Sequence, residues 1–582
     1  MPPTGAGDPG GTSSETAPAR TEACADDNGE ITLPPGFCAT VFADNIGHAR
    51  HLVVAPNGVV YVNTWSGRYY GNDTPPPGGF LVALQDTDGD GQADATIRFG
   101  ETFAQGAQGG TGIALHDGRL YAEVDDRIVR YTLPEDAIAP TGSPETIVSG
   151  LPLTGDHPMH PFAIDAQGNM YVNSGSATNA CQVENRMPRS PGHQPCTELE
   201  TRAGIWRYDA NRTGQRFSPA ERFATGIRNA VGIAVDPTDG GIYATQHGRD
   251  QLRENWPDLY TQEQGANLPA EELLRIEEGA DYGWPECYFD DTQNKLVLAP
   301  EYGGDGGKKV GVCAEKKPPI AAFPAHWAPN DLALYYGDQF PAAYQGGAFI
   351  AFHGSWNRSP SPQGGYNVVF QPLADGKPAG KYVIFADGFA GAVKDPDQAA
   401  HRPAGLAVAP DGALYIADDV RGRIWRVVFR GGNTTAGIEP ASAPSPAASA
   451  SATAAAVQQP EPPEGIHPGA GALPIPPGAT PAQVALGERV FHGQAGGGTC
   501  EACHGSSAKG SPLGPDLTSG RWLWGDGSLP AITRTITEGV PNPKQYRGVM
   551  PPMGGAQLSP SEVAAVAAYV WALGHGEGQS SP

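Results

Sequence analysis

The sequence predicts an all-β six-bladed β-propeller followed by a small all-α domain. Three observations carry that reading. A strand–turn–strand pattern recurs about six times between residues 31 and 430. An Ala/Ser/Pro-rich stretch then breaks the chain over 431–472. Beyond it, in 473–582, two helical segments flank Cys500-Glu501-Ala502-Cys503-His504.

The recurring unit is an apolar strand, a Pro/Asp/Asn-Gly turn and a second strand rich in Tyr and Val. It reads HLVVAPNGVVYVNTW (51–65), GIALHDGRLYAEV (112–124), FAIDAQGNMYVNSG (162–175), VGIAVDPTDGGIYATQHG (231–248) and GLAVAPDGALYIADD (405–419), with a divergent copy at 332–354. Alternation with D/N-G turns marks antiparallel hairpins. Repetition of such a unit points to a propeller, whose function sits on loops around one mouth of the channel.

Composition agrees. A chain of 582 residues exceeds one core, and 79 Gly with 57 Pro against 17% charged residues suits a turn-rich β protein. The net charge of −25 argues against nucleic acid and anionic membranes as partners. No apolar run reaches the length of a membrane span.

Residues 1–30 are expected to be disordered. Met1–Arg20 holds no apolar signal region, which suggests a mature or truncated chain with an added Met1. The segment 431–472 reads as a linker; a flexible coil of that length spans roughly 35 Å root-mean-square. In the C-terminal domain, 479–493 reads as the first helix. The last is 559–574, with Ser559 and Glu562 forming a capping box.

Six of the eight cysteines lie as near neighbours: Cys24 with Cys38, Cys181 with Cys196, Cys287 with Cys313. They read as three local disulfides, although six cysteines allow many pairings. Disulfides imply an oxidising compartment, so a periplasmic or secreted location is expected.

Cys500 and Cys503, with His504 adjacent, have the spacing that attaches haem c. The thiols can add to the porphyrin vinyl groups while His504 meets the iron. Zinc would need two more ligands, and no nearby Cys or His pair offers them. Pro515 follows where its carbonyl can accept the histidine's second N–H and fix the tautomer. A thioether then arrives in Gly548-Val549-Met550-Pro551-Pro552-Met553. This region resembles the small class I cytochromes c. Their axial Met usually opens a Met-Pro step, which implies Met550 as the sixth ligand, with Met553 as the alternative.

Asp86, Asp88, Asp90, Gln92 and Asp94 alternate through a glycine turn, an oxygen cage for a hard cation such as Ca2+. The glutamate that closes an EF-hand is missing, so a structural loop site is expected.

Other candidates stand at the edges of the repeats: His157 in GDHPMHP, Arg228 and Asn229 in GIRNAVGIAVDP, Gly248 and Arg249 in QHGRD, Arg358 in HGSWNR, Arg402 in HRPAGLAVAPDG. With YGWPECY (282–288), these motifs make residues 35–430 resemble the pyrroloquinoline quinone (PQQ) sugar dehydrogenases. These are the soluble glucose and aldose dehydrogenases and the sorbosone/pyranose group. A flat tricarboxylated quinone in an acidic protein calls for local cations, and the planar guanidinium fork suits carboxylates. The resemblance implies His157 as general base, with His160 as competitor. Arg228 and Asn229 would contact the quinone, and the backbone carbonyls of Gly248 and Arg249 would ligate a second Ca2+. Arg402, Arg358 and Arg50 would grip the carboxylates. The family's soluble members place Lys where this chain has Asn357–Arg358, so one cation of that set differs.

The expected function is a quinohaemoprotein dehydrogenase. It would oxidise a sugar or related alcohol with PQQ and pass electrons to its own haem c and then to an external acceptor. A calcium-dependent, lactonase-like hydrolase and a non-catalytic electron-transfer protein are the alternatives.

Overall fold

The structure is a computed structural model. It describes residues 25, 27–64, 76–101, 110–134, 137–358, 361–396, 398–431, 473–492, 500–505, 507–511, 514–546, 549–556 and 558–576. The segment expected to be disordered (all but five of its residues), the expected linker except Gly431, and Cys24 lie outside the described residues.

Six sheets of four strands or more form the propeller. Each opens with an inner strand: Ala49–Val54, Ile113–His116, Phe162–Ile164, Ile233–Val235, Pro329–Leu334 and Pro403–Val408. Successive inner strands touch around a closed ring. The hairpin turns follow from their residues. In the second blade, Asp117 (φ 49°) and Gly118 (φ 66°) both take the left-handed conformation that a two-residue hairpin needs, and His116 pairs with Arg119.

Closure is non-local. Strand Phe37–Ala43 pairs antiparallel with Ile424–Phe429, so the chain's first strand completes the last blade. Trp425, fully buried there, donates through Nε1 to the Gly29 carbonyl at 2.8 Å. Burying such side chains contributes about 1.5–3 kcal/mol each.

The antiparallel register decides which residues share a face. Phe162 pairs with Val172, Ile233 with Ala244, Pro329 with Phe352, and Pro403 with Asp418. Residues just before an inner strand therefore meet residues just after the second strand. His157 meets Ser176, Arg228 meets Gly248, and Arg402 meets Asp419. All lie at one mouth of the channel.

Cys181–Cys196 and Cys287–Cys313 are disulfide-bonded. Cys38 is disulfide-bonded as well.

The C-terminal domain packs helices Pro481–Phe491, Leu529–Glu538 and Pro560–Gly574 around a common apolar core. Capping boxes close two of them, Thr480 with Gln483 and Ser559 with Glu562. No described helix is long and apolar enough to cross a membrane.

Candidate active site

His157 is buried at the mouth, and its Nδ1 donates to the Ser176 carbonyl at 2.9 Å. That bond leaves Nε2 as the lone-pair nitrogen. Burial, and then the Arg228 guanidinium, hold its pKa well below the ordinary imidazole value. His157 is thus held neutral, with the lone pair on Nε2. His160 has a different role. Its ring nitrogen lies 3.3 Å from Glu123, which also accepts the backbone N–H groups of Thr111 and Gly112. That is a buried structural network between blades.

Arg228 donates to the Gly248 carbonyl (2.9 Å), to Asn179 Oδ1 (3.0 Å) and to Asp250 Oδ2 (3.0 Å). Asp250 also receives Arg186 at 3.2 Å, and Arg186 reaches Asp156, the neighbour of His157, at 3.0 Å. The two guanidinium groups hold the Asp250 carboxylate far below the usual range, against its burial. Asn229 comes close to His157 because Gly175 stands between them. A Cβ on Gly175 would lie 2.6 Å from His157 Cβ and 2.8 Å from Asn229 Oδ1.

On the opposite rim, Arg50 pairs with Asp419 at 2.6 Å and His353 contacts the other oxygen of Asp419 at 2.8 Å. Arg402 donates to the His353 carbonyl at 3.0 Å and lies over the Tyr366 ring. Asn357 links the two rims through a 2.9 Å bond to Asp250. Arg358 does not join them. Its guanidinium donates to the Ala325 carbonyl (2.8 Å) and Asn267 Oδ1 (2.9 Å). The side chain of Arg249 turns away to Glu301 at 2.6 Å.

Beneath Gly248, Glu271 accepts that residue's N–H at 2.9 Å, and Glu272 accepts from Gln246 at 2.8 Å. Burial pushes both carboxyls up to about 8.

The Asp86–Asp94 loop joins the third and fourth strands of the first blade, at the end opposite the mouth. Asp86, Asp88 and Asp94 offer oxygens within 4.8 Å of one another. Asp90 instead accepts the Gln92 N–H at 2.9 Å.

In the C-terminal domain, Cys500, Cys503, His504 and Met550 line one cavity whose other walls are largely apolar, among them Phe491, Leu517, Ile532, Ile536, Val566 and Val570. His504 Nδ1 lies 3.0 Å from the Pro515 carbonyl, the contact expected from the sequence. Met550 is held by paired backbone bonds with Val540. Met553 sits in the turn Pro552–Gly555 with φ 56° and is absent from the cavity wall. Two thiols, an imidazole and a thioether around an apolar slot fit a haem c.

The propeller mouth likewise fits an anionic ligand. It gathers the guanidinium groups of Arg50, Arg186, Arg228 and Arg402, whose planar forks suit carboxylates.

These features define a propeller oxidoreductase joined to a cytochrome. Residues 31–429 match the TrAA12-like family, and the chain belongs to it. Residues 482–570 match subunit III of the cbb3-type cytochrome c oxidase. A pyrroloquinoline quinone-dependent sugar dehydrogenase of Hypocrea jecorina is 24% identical over 340 residues, 54% of this chain and 73% of that protein. The cbb3-type subunit FixP of Rhizobium etli is 43% identical over 77 residues, 13% of this chain and only 26% of that subunit. Among solved structures, the PQQ domain of Coprinopsis cinerea pyranose dehydrogenase superposes with a TM-score of 0.54 at 19% identity, covering 68% of this chain and 97% of that domain. At that identity the superposition speaks for the fold.

Sequence reasoning missed Arg186, Asp250, Ser176 and Gly175. Asp250 and Ser176 border quoted motifs and could have been drawn in from them. Nothing local marks Arg186.

Proposed function

We propose that the chain is a quinohaemoprotein dehydrogenase that oxidises a sugar hydroxyl with PQQ and delivers the electrons to its own haem c. The observation that carries this is the meeting of a neutral His157 with Arg228 and Asn229 at one mouth, in a chain that also holds a haem-shaped cavity.

PQQ, when bound, supplies a two-electron acceptor. Arg228 and Asn229 would contact it, Arg402 and Arg50 would bind its carboxylates, and the Gly248 and Arg249 carbonyls would hold a Ca2+ beside it. His157 Nε2 takes the proton of the substrate hydroxyl, and Ser176 keeps that nitrogen unprotonated beforehand. Arg228 stabilises negative charge that develops opposite the base.

Cys500 and Cys503 would anchor the haem, with His504 and Met550 on the iron; His/Met ligation raises the potential and suits electron acceptance. An external acceptor would then empty the iron. The three-carboxylate loop would hold a structural Ca2+. Disulfides and haem c both suit a periplasmic or secreted protein. The hydrolase alternative leaves the haem cavity without a role.

The test is a panel of aldoses and other alcohols given to the purified chain with PQQ and Ca2+, read with a small redox dye. Dye reduction that depends on both additions supports the reading. Equal reduction without PQQ refutes it.

A further inference from the structure

The helix Leu252–Asn255 begins two residues after Asp250, at the rim of the mouth, and packs against the turn Pro552–Gly555 of the cytochrome domain. The Cys503 sulfur, where the haem edge would attach, lies within electrostatic reach of Arg186, Glu254 and Asp250. Arg186 is itself shared between Asp156 and Asp250, which flank the candidate base and Arg228. Burial raises the carboxyl of Glu254 on the same helix. Charge does not oppose the approach. Residues 473–582 carry six Lys/Arg against seven Asp/Glu, so nearly all of the net −25 belongs to the rest of the chain.

Resting on the function proposed above, we infer that the cytochrome domain docks its Cys503 edge on the propeller mouth. Glu254 and Pro552 lie on the two sides of the contact, and Arg186 is the positioning residue beneath it. The docked pair makes electron transfer intramolecular, at the high effective concentration a tether provides. Oxidising one sugar hydroxyl to a carbonyl releases two electrons and two protons. A haem iron held there would accept one electron at a time, ferric to ferrous, so docking would serve two successive transfers. The external one-electron acceptor reoxidises the iron between them, and the protons leave to solvent.

Glu254→Lys puts a longer cation on the helix that meets the cytochrome turn, and an unpaired charge enclosed at such a contact weakens it strongly. In the full chain, the variant should raise hydrogen exchange over residues 250–256 without any added cofactor. With PQQ, Ca2+ and sugar, it should slow haem reduction at least ~10-fold while dye reduction stays within about twofold. Pro552→Glu, which leaves the propeller untouched, should do the same. If dye reduction falls as well in Glu254→Lys, Pro552→Glu and the exchange data decide. Unchanged exchange and unchanged haem reduction in both variants overturn the docking. If the unsubstituted chain reduces neither dye nor haem, the proposed function fails, while the exchange measurement still tests the contact.

Discussion

His157 donates through Nδ1 to the carbonyl of Ser176 at 2.9 Å, which fixes the tautomer of the candidate base. His157→Ala should lower turnover by ~10²-fold or more with PQQ affinity largely kept, as read by steady-state kinetics and a quinone-binding titration. The pH profile gives a second reading. A histidine whose pKa lies well below 6.5 stays deprotonated through mild acid, so the acid limb of kcat/KM should fall below pH 6.5.

Gly175 keeps His157 and Asn229 together. A methyl at 2.6 Å from His157 Cβ must push one of them aside. Gly175→Ala should reduce kcat by ~10–100-fold, the cost of a displacement near 1 Å, with a native circular dichroism spectrum.

Glu272 links pH to stability. Its carboxyl stands at about 8 in the folded chain, against an ordinary value of 4.5. The folded state therefore holds a proton that the unfolded state has released, and stability falls as pH rises from 4.5 through 8. Glu272→Gln keeps the acceptor for Gln246 and carries no charge. It should lessen the fall in stability with rising pH, Glu271 keeping its own share, and be more stable than the unsubstituted chain above pH 8 by on the order of 1 kcal/mol or more.

Met550 and Met553 separate in the cytochrome. Met550→Leu should remove the proposed axial thioether and lower the haem midpoint potential markedly, whereas Met553→Leu should leave the ferric spectrum nearly unchanged. Redox titration of the two variants decides between them.

The parts legible in the sequence are those governed by local rules. Asp117-Gly118 turns because those residues accept positive φ, and Cys500-x-x-Cys503-His504 has a spacing that few structures other than haem attachment need. His157, Arg228 and Arg402 could be drawn together because each stands beside a repeat. What depends on distant pairing was hidden. Phe37–Ala43 closes the last blade from nearly four hundred residues away. Arg186 reaches the mouth from a disulfide-bearing insertion, and only the fold places it between Asp156 and Asp250. Arg358 lies in a quoted motif, yet its guanidinium is occupied by Ala325 and Asn267, partners that no local pattern encodes.

The most direct measurement is the visible spectrum of the haem during an anaerobic sugar titration of the purified full chain, with and without PQQ and Ca2+. The account predicts that the ferrous bands grow only when the quinone and calcium are both present. Ferrous bands that appear equally without the quinone, or never appear while the dye is reduced, would contradict it.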